Sequence, residues 1–289
     1  MALVWDIDDD KTIEFDELVA HFDALGAQLF QKNLDCSALM MRRICNNRRF
    51  LAEHILGVLR GDTGVIRNDY SAQIFVLHSS EHYLFRAVLW PTLKSVSGEE
   101  TYNYELPHDH DFNFFTAGYL GSGYRTRIYE YDHASVSGLP GEDVALHEIQ
   151  DLHLSPDRVM LFRRSVDVHT QYVPKEFSIS LNILQNTSHL RDHRPQYEFD
   201  IERGKILRTL NGTPIDLLAK VGASIGGDCA ELVAQVATIS QYPSARRDAI
   251  GALARHCDAS YMALAEGDDS AFVRHICRID AEKYGPFAG

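Results

Sequence analysis

The stretch Pro107-His108-Asp109-His110-Asp111-Phe112-Asn113-Phe114-Phe115 decides how this chain is read. It sets two histidines one residue apart in a run with strand character. Alternate strand side chains share a face, so His108 and His110 are expected to aim their imidazoles the same way. Two neutral imidazoles on a stiff strand are a natural pair of ligands for a transition metal. The bland alternative is a pair of ordinary polar strand residues.

A third candidate ligand follows downstream. The segments Val166-Asp167-Val168-His169-Thr170-Gln171-Tyr172-Val173 and Phe177-Ser178-Ile179-Ser180-Leu181-Asn182-Ile183 alternate and are rich in β-branched residues, with Pro174-Lys175-Glu176 between them as a turn. His169 sits mid-strand among apolar neighbours. Alone it would read as a packed core residue; with His108 and His110 upstream it completes a ligand set. Asp167 and Gln171 flank it at two-residue spacing and are candidates to orient its ring.

In these motifs the chain resembles the cupins, which carry an HxH strand and a later single His on another strand of a small β-barrel. The resemblance spans about residues 70–185. It implies an α+β chain with a central antiparallel β-barrel (double-stranded β-helix) flanked by helices. Cupins usually place a Glu four to five residues after HxH; Phe114 and Phe115 stand there. The remaining three-histidine set, His108, His110 and His169, resembles the thiol dioxygenases of the cysteine dioxygenase type. So do the His-Asp-His wording, the preceding strand ending in Trp90, and Ser178-Ile179-Ser180-Leu181. That family has a Ser-His-Tyr hydrogen-bonded trio. Ser180 matches its Ser, whereas Asn182 and Leu184 occupy the other two places, a departure that points away from cysteine itself as substrate.

The resemblance implies Fe(II), with Zn, Mn or Ni as other metals, and a small thiol or amino-acid-like substrate with O2. An arginine would grip the substrate carboxylate through a two-pronged hydrogen bond. Arg86 interrupts Tyr83-Leu84-Phe85-Arg86-Ala87-Val88-Leu89-Trp90, where a guanidinium must be paired or face a polar interior. Arg125 and Arg127 are the other candidates, and exposure on an outer face is the bland reading of each. Tyr124, Tyr129, Tyr131 and Tyr172 could line the site, and Tyr124 is singled out as a proton donor; packing is the alternative for all four. Two further readings stay open: a non-catalytic ligand-binding or regulatory cupin, and a metal-dependent isomerase or hydrolase.

Strands are expected at Ala72–Leu77, Tyr83–Trp90, Tyr102–Leu106, His110–Tyr119, Tyr124–Tyr131, Val144–Glu148, Arg158–Phe162, Val166–Val173 and Phe177–Leu184. Before them, helical spacing covers Glu14–Lys32, a segment from Asp35 or Ser37 to Cys45, and Arg48–Leu59. After them, short amphipathic helices are expected over 214–223, 228–239, 243–257 and 268–282. They form a small stacked unit resembling HEAT repeats, suited to covering the barrel or forming a homodimer face. The expected boundaries are therefore 1–65 (helical), 66–200 (barrel) and 201–289 (helical). In the acidic run 6–17, Asp6, Asp8, Asp10, Glu14 and Glu17 match the side-chain positions of a calcium loop, with Lys11 in place of its glycine. The competing reading is a set of carboxylates favouring the start of the helix at Glu14.

The 289 residues are 45% hydrophobic and 24% charged, enough for real cores. A net charge of −13 argues against nucleic-acid or anionic-membrane binding. No apolar run has the length of a membrane span, and Met1-Ala2-Leu3-Val4-Trp5 is short for a signal peptide. Cys36, Cys45, Cys229, Cys257 and Cys277 show no paired spacing, so reduced thiols and a cytoplasmic setting are expected.

Overall fold

The computed structural model describes residues 2–61, 73–92, 104–188, 193–212 and 214–275. Its strands run β1 (Leu3–Asp6), β2 (Ile74–Ser79), β3 (Tyr83–Trp90), β4 (Phe114–Leu120), β5 (Arg125–Glu130), β6 (His147–His153), β7 (Arg158–Phe162), β8 (Asp167–Gln171), β9 (Ser178–Gln185), β10 (Tyr197–Asp200) and β11 (Lys205–Thr209). The helices are α1 (Phe15–Leu25), α2 (Leu34–Asn46), α3 (Arg48–Arg60), α4 (Pro214–Ile225), α5 (Asp228–Ile239), α6 (Pro243–His256) and the single turn α7 (Ala263–Glu266). Helical backbone is also present at 271–275. No described helix is long and apolar enough to cross a membrane.

Six strands form one antiparallel sheet in the order β1-β7-β4-β9-β3-β2, and three form a second in the order β6-β5-β8. Among the described residues the strands therefore divide into separate sheets and form no continuously hydrogen-bonded ring. The fold is mixed helix and antiparallel sheet, as expected. The expected strand Tyr102–Leu106 begins outside the described residues, and 104–106 are not strand. His110–Tyr119 becomes a strand only at Phe114, and the strand expected at Val144–Glu148 begins at His147. Leu3–Asp6 and the β10-β11 ribbon are strands that the spacing did not announce.

The period-two alternation of the large sheet sorts its side chains onto two faces. On one, Tyr83, Phe85, Ala87, Phe115, Ala117, Leu161, Leu181 and Ile183 join Leu18, Phe22, Met41, Ile44 and Phe50 from α1, α2 and α3 in one apolar core. Phe15 stacks on Phe50 and Phe85 at centroid distances of 5.0 and 5.6 Å. The other face carries Val88, Trp90, Phe114, Met160, Phe162 and Leu184, which pack with Tyr124 and Ile128 at the start of and within β5. That second core lies between the two sheets.

Contacts group the chain into two units, Met1–Glu130 with His147–His189, and Tyr131–Leu146 with Leu190–Gly289. In the second unit, α6 supplies a continuous buried stretch from Ala249 to Ala254, and the core it forms includes Ala219, Ala223, Val233 and Ala237 of α4 and α5. β10 and β11 make a two-stranded ribbon, and the segment 131–146 joins it where Val144 N–H donates to the Gly204 carbonyl.

The acidic run is structural. Asp6 is held by Arg158 through hydrogen bonds of 2.7 and 2.9 Å, and Asp9 by Arg43 at 2.9 Å. Asn46 of α2 ties down the carbonyls of Asp9 and Lys11, each at 2.8 Å. Glu17 turns back to accept the Glu14 N–H, which caps α1. Asp6, Asp8, Asp10 and Glu17 do not gather as a metal-binding group, so the calcium reading is replaced by the capping one. The partners of Asp6 and Asp9 are arginines far away in sequence, which local spacing does not reveal.

Candidate metal centre

His108 and His110 lie in an extended segment that runs beside β8 as an isolated pairing, not within a ladder. His108 N–H donates to the His169 carbonyl at 3.1 Å, and His169 N–H returns a bond to His108 O at 2.9 Å. Glu105 N–H donates to Gln171 O at 2.8 Å and extends the pairing. The segment keeps its two-residue alternation: Asp109, between the histidines, is fully buried on the opposite side. Asp111 pairs with Arg164 at 2.6 Å, and Asn113 donates to Gln185 Oε1 at 2.8 Å, so both ends of the motif are fastened.

The three imidazoles converge. One ligand nitrogen from each of His108, His110 and His169 lies within 4.8 Å of the others, and this is the one such group among the described residues. His110 Nε2 stands 3.0 Å from His169 Nε2. His169 is buried, and the other two are half-buried, leaving the centre an edge toward solvent. The walls are aromatic: Phe112 stacks on His110 at 4.6 Å, and Phe162 and Phe114 lie 4.7 and 5.6 Å from His169.

Three features fit these residues to a metal ion. His108 Nδ1 is 2.8 Å from the Leu106 carbonyl, a bond that places its proton there and leaves Nε2 bare. Gln171 Nε2 stands 2.9 Å from His169 Nδ1, a contact that holds the ring in place. Burial, then repulsion among the imidazoles and from Arg86, holds His110 and His169 well below the usual histidine range. Both are therefore neutral and able to donate lone pairs. Asp167 instead accepts from Arg163 and takes no part in orienting the ring.

Arg86 projects from the inter-sheet face of β3, in phase with Val88 and Trp90, and its charge acts on His110, His169 and Tyr124. It is directly opposite Asn182 on β9, and Asn182 is in turn opposite Thr116 on β4. Thr116 Oγ1 donates to Asn182 Oδ1 at 2.9 Å, and Trp90 Nε1 donates to Ser180 Oγ at 3.0 Å. Ser180 is thus engaged by a tryptophan, with Asn182 and Leu184 following it on the same face.

Tyr124 is buried, hydrogen-bonds Thr116, and packs on Trp90 at 4.3 Å. Burial pushes its hydroxyl up to about 12, so it stays protonated. Gly123 must precede it: φ is +78°, and a Cβ there would overlap the Leu154 carbonyl oxygen.

The other candidates face elsewhere. Arg125 and Arg127 form solvent-facing pairs with Asp151 and Glu148. Tyr172 lies under the Arg125 guanidinium, Tyr129 beside that of Arg127, and Tyr131 packs on Phe199. A cleft of about 1100 Å³ in the second unit is lined in part by His133, His193, Arg246 and Asp268; Arg246 is committed to Asp268 at 2.7 and 2.9 Å.

No family model matches this sequence, and no curated relative does. Solved structures similar to parts of it are cupin-fold proteins. The DMSP lyases RdDddP and RnDddQII match at 11% identity over 44% of this chain and 52% of theirs, with a TM-score of 0.27. The hydroquinone 1,2-dioxygenase PnpCD matches at 11% over 41% and 67%, TM-score 0.27. A cupin domain from Bordetella pertussis Tohama I matches at 10% over 42% and 98%, TM-score 0.22. The chain spans about half the length of the DMSP lyase structure it matches.

Proposed function

We propose that this chain is a metal-dependent cupin enzyme, and specifically a non-haem Fe(II) dioxygenase acting on a small thiol or amino-acid-like substrate. The observation that carries the reading is the convergence of His108, His110 and His169 from two chain segments, with no carboxylate in the cluster among the described residues. An iron(II) ion held by three neutral imidazoles keeps further positions open for a chelating substrate and O2, which is the chemistry it supplies when bound.

The chain's own residues supply position and charge. His108 is set by the Leu106 carbonyl and His169 by Gln171. Arg86 offers a fixed cation to a substrate carboxylate. Tyr124, kept protonated by burial, is the proton donor. The aromatic walls shield the His110 and His169 side of the centre from water.

Metal analysis of the purified protein beside His108→Ala and His169→Ala variants tests the centre. Both variants are expected to lose the metal; unchanged metal content in both would remove the site. Oxygen consumption by iron-loaded protein against a panel of small thiols and amino acids then tests the reaction.

A further inference from the structure

In α4 and α5 the small residues face inward and the large aliphatic ones face outward. The buried positions of α4 are Asp216, Ala219 and Ala223, while Leu217, Leu218, Val221 and Ile225 are exposed. In α5 Val233 and Ala237 are buried, while Leu232 and Ile239 are exposed. Leu218, Ile225, Leu232 and Ile239 are 64, 67, 61 and 78% exposed, the reverse of what burial of apolar area favours in a free-standing layer of helices.

The six side chains make one strip. A Cβ at Gly222 of α4 would meet Val233 Cγ2 at 2.7 Å and the Cys229 carbonyl oxygen at 3.7 Å, so the two helices cross closely at this glycine. Residues three and four apart are neighbours on a helix surface. Leu218 and Ile225 therefore flank Gly222 on α4, and Leu232, three residues after Cys229, adjoins the same crossing on α5. Ile239 follows Leu232 two turns later on the same side of α5. Val221 and Leu217 widen the strip on the outer side of α4. Together the six expose on the order of 700 Å² of aliphatic surface, more than the roughly 300–600 Å² of the largest patch on an ordinary monomer and close to the ~800 Å² that each partner gives to a stable interface.

The chemistry of the strip selects its occupant. α4 and α5 contain no aromatic residue and no arginine, apart from methionine the types enriched where partner proteins anchor. Uncharged Leu, Ile and Val are the composition of permanent homodimer interfaces, which resemble a core cut in two. A lipid surface would call for lysines and arginines beside the apolar strip. The two helices offer only Lys220, held by Asp248 at 2.6 Å, beside the acidic Asp216, Asp228 and Glu231. The net charge of −13 makes two copies of the chain repel over most of their surfaces. An uncharged strip is where they can meet, and a two-fold axis requires only that the strip match itself.

We propose that α4 and α5 are a homodimer face, packed against α4 and α5 of a second copy about a two-fold axis to make a four-helix layer. The dimer and the metal centre are independent, so either reading can fail without the other.

Sedimentation velocity of the full chain tests the face. Wild type is expected to run at twice the chain mass at micromolar concentration, and added salt, which screens the repulsion between copies, is expected to tighten the dimer. Ile225→Lys on α4 and Leu232→Lys on α5 each enter the interface twice, and each is expected to raise the dissociation constant by about 30-fold or more with unchanged circular dichroism. Leu59→Lys, at an exposed leucine of α3 outside the strip, is expected to leave the dimer intact. A wild-type chain that stays monomeric, or a dimer that survives both strip substitutions in folded protein, overturns the proposal. Dissociation of the dimer by salt also overturns it, because charges would then be holding the copies together. So does a monomer that floats with phosphatidylcholine–phosphatidylserine vesicles, which would make the strip a membrane contact.

Discussion

The two faces of the six-stranded sheet are made from the same strands and do different work. Toward α1, α2 and α3, every second residue of β3, β4, β7 and β9 is apolar except Gln185 at the end of β9, and the face is closed by stacked phenylalanines. Toward the smaller sheet, the intervening residues include Arg86, Thr116, Ser180 and Asn182 among the aromatics. A sheet selected for stability alone would be apolar on both faces, because polar groups between sheets contribute less than the hydrocarbon they replace. The helix-facing side carries the stability; the inter-sheet side carries the groups to which the proposed function gives its chemistry. Variants on the two sides should therefore fail in different ways.

The largest effect is expected on the helix-facing side. Phe115 is completely buried against Trp5 and Phe30. Phe115→Ala should destabilise the chain by about 3–5 kcal/mol, read as a fall in denaturation midpoint. Its neighbour in sequence, Phe114, points the other way, at His110 and His169. Phe114→Leu should cost less stability and change the ligand environment instead, visible in the Co(II) spectrum. Equal loss of stability with an unchanged spectrum would contradict the division of labour between the faces.

Next comes Gln171, which touches no expected substrate but meets His169 Nδ1. Gln171→Leu should lower metal affinity by about 10–100-fold while leaving the melting temperature of the metal-free chain nearly unchanged. Full affinity in that variant would mean His169 needs no neighbour to hold its ring in place.

These contrasts also show what the sequence could reveal. Period-two logic placed His108 and His110 on one side and linked them to His169, because side-chain direction along an extended backbone depends only on parity. It also made Arg86 conspicuous. Cross-strand register is a property of pairing, and so the Arg86–Asn182–Thr116 row was invisible; these residues are far apart in sequence and meet only through β9. The same limit hid the role of Asp6 and Asp9, whose arginine partners are 152 and 34 positions away. β1 is too short to show alternation, and β10 and β11 fall where the pattern turns helical.

A thiol-labelling contrast sharpens the helix-facing side further. Cys45 is completely buried in that core, and burial pushes its thiol up to about 12, whereas Cys36 on the same helix is exposed. At pH 8 the native chain should be alkylated by iodoacetamide at Cys36 and not at Cys45, with Cys45 reacting only after denaturant is added. Cys277 lies outside the described residues. Ready labelling of native Cys45 would show that the helices do not seal that face.

The smallest effect concerns His21 of α1, whose Nε2 lies 3.1 Å from Ser37 Oγ of α2. Burial holds its pKa below the ordinary 6.5, so the folded chain keeps it neutral while the unfolded chain protonates it. Unfolding then takes up a proton, and stability falls as pH drops below 6.5 until the folded value is reached; above 6.5 this contribution is constant. The loss is expected to be under about 1 kcal/mol per pH unit for this half-buried ring. His21→Gln, which keeps a hydrogen-bonding partner for Ser37 and cannot titrate, should flatten that part of the acid limb in denaturant titrations at pH 5.5 and 7.5. An unchanged slope would mean that α1 and α2 are open enough at this point for His21 to bind its proton in the folded chain.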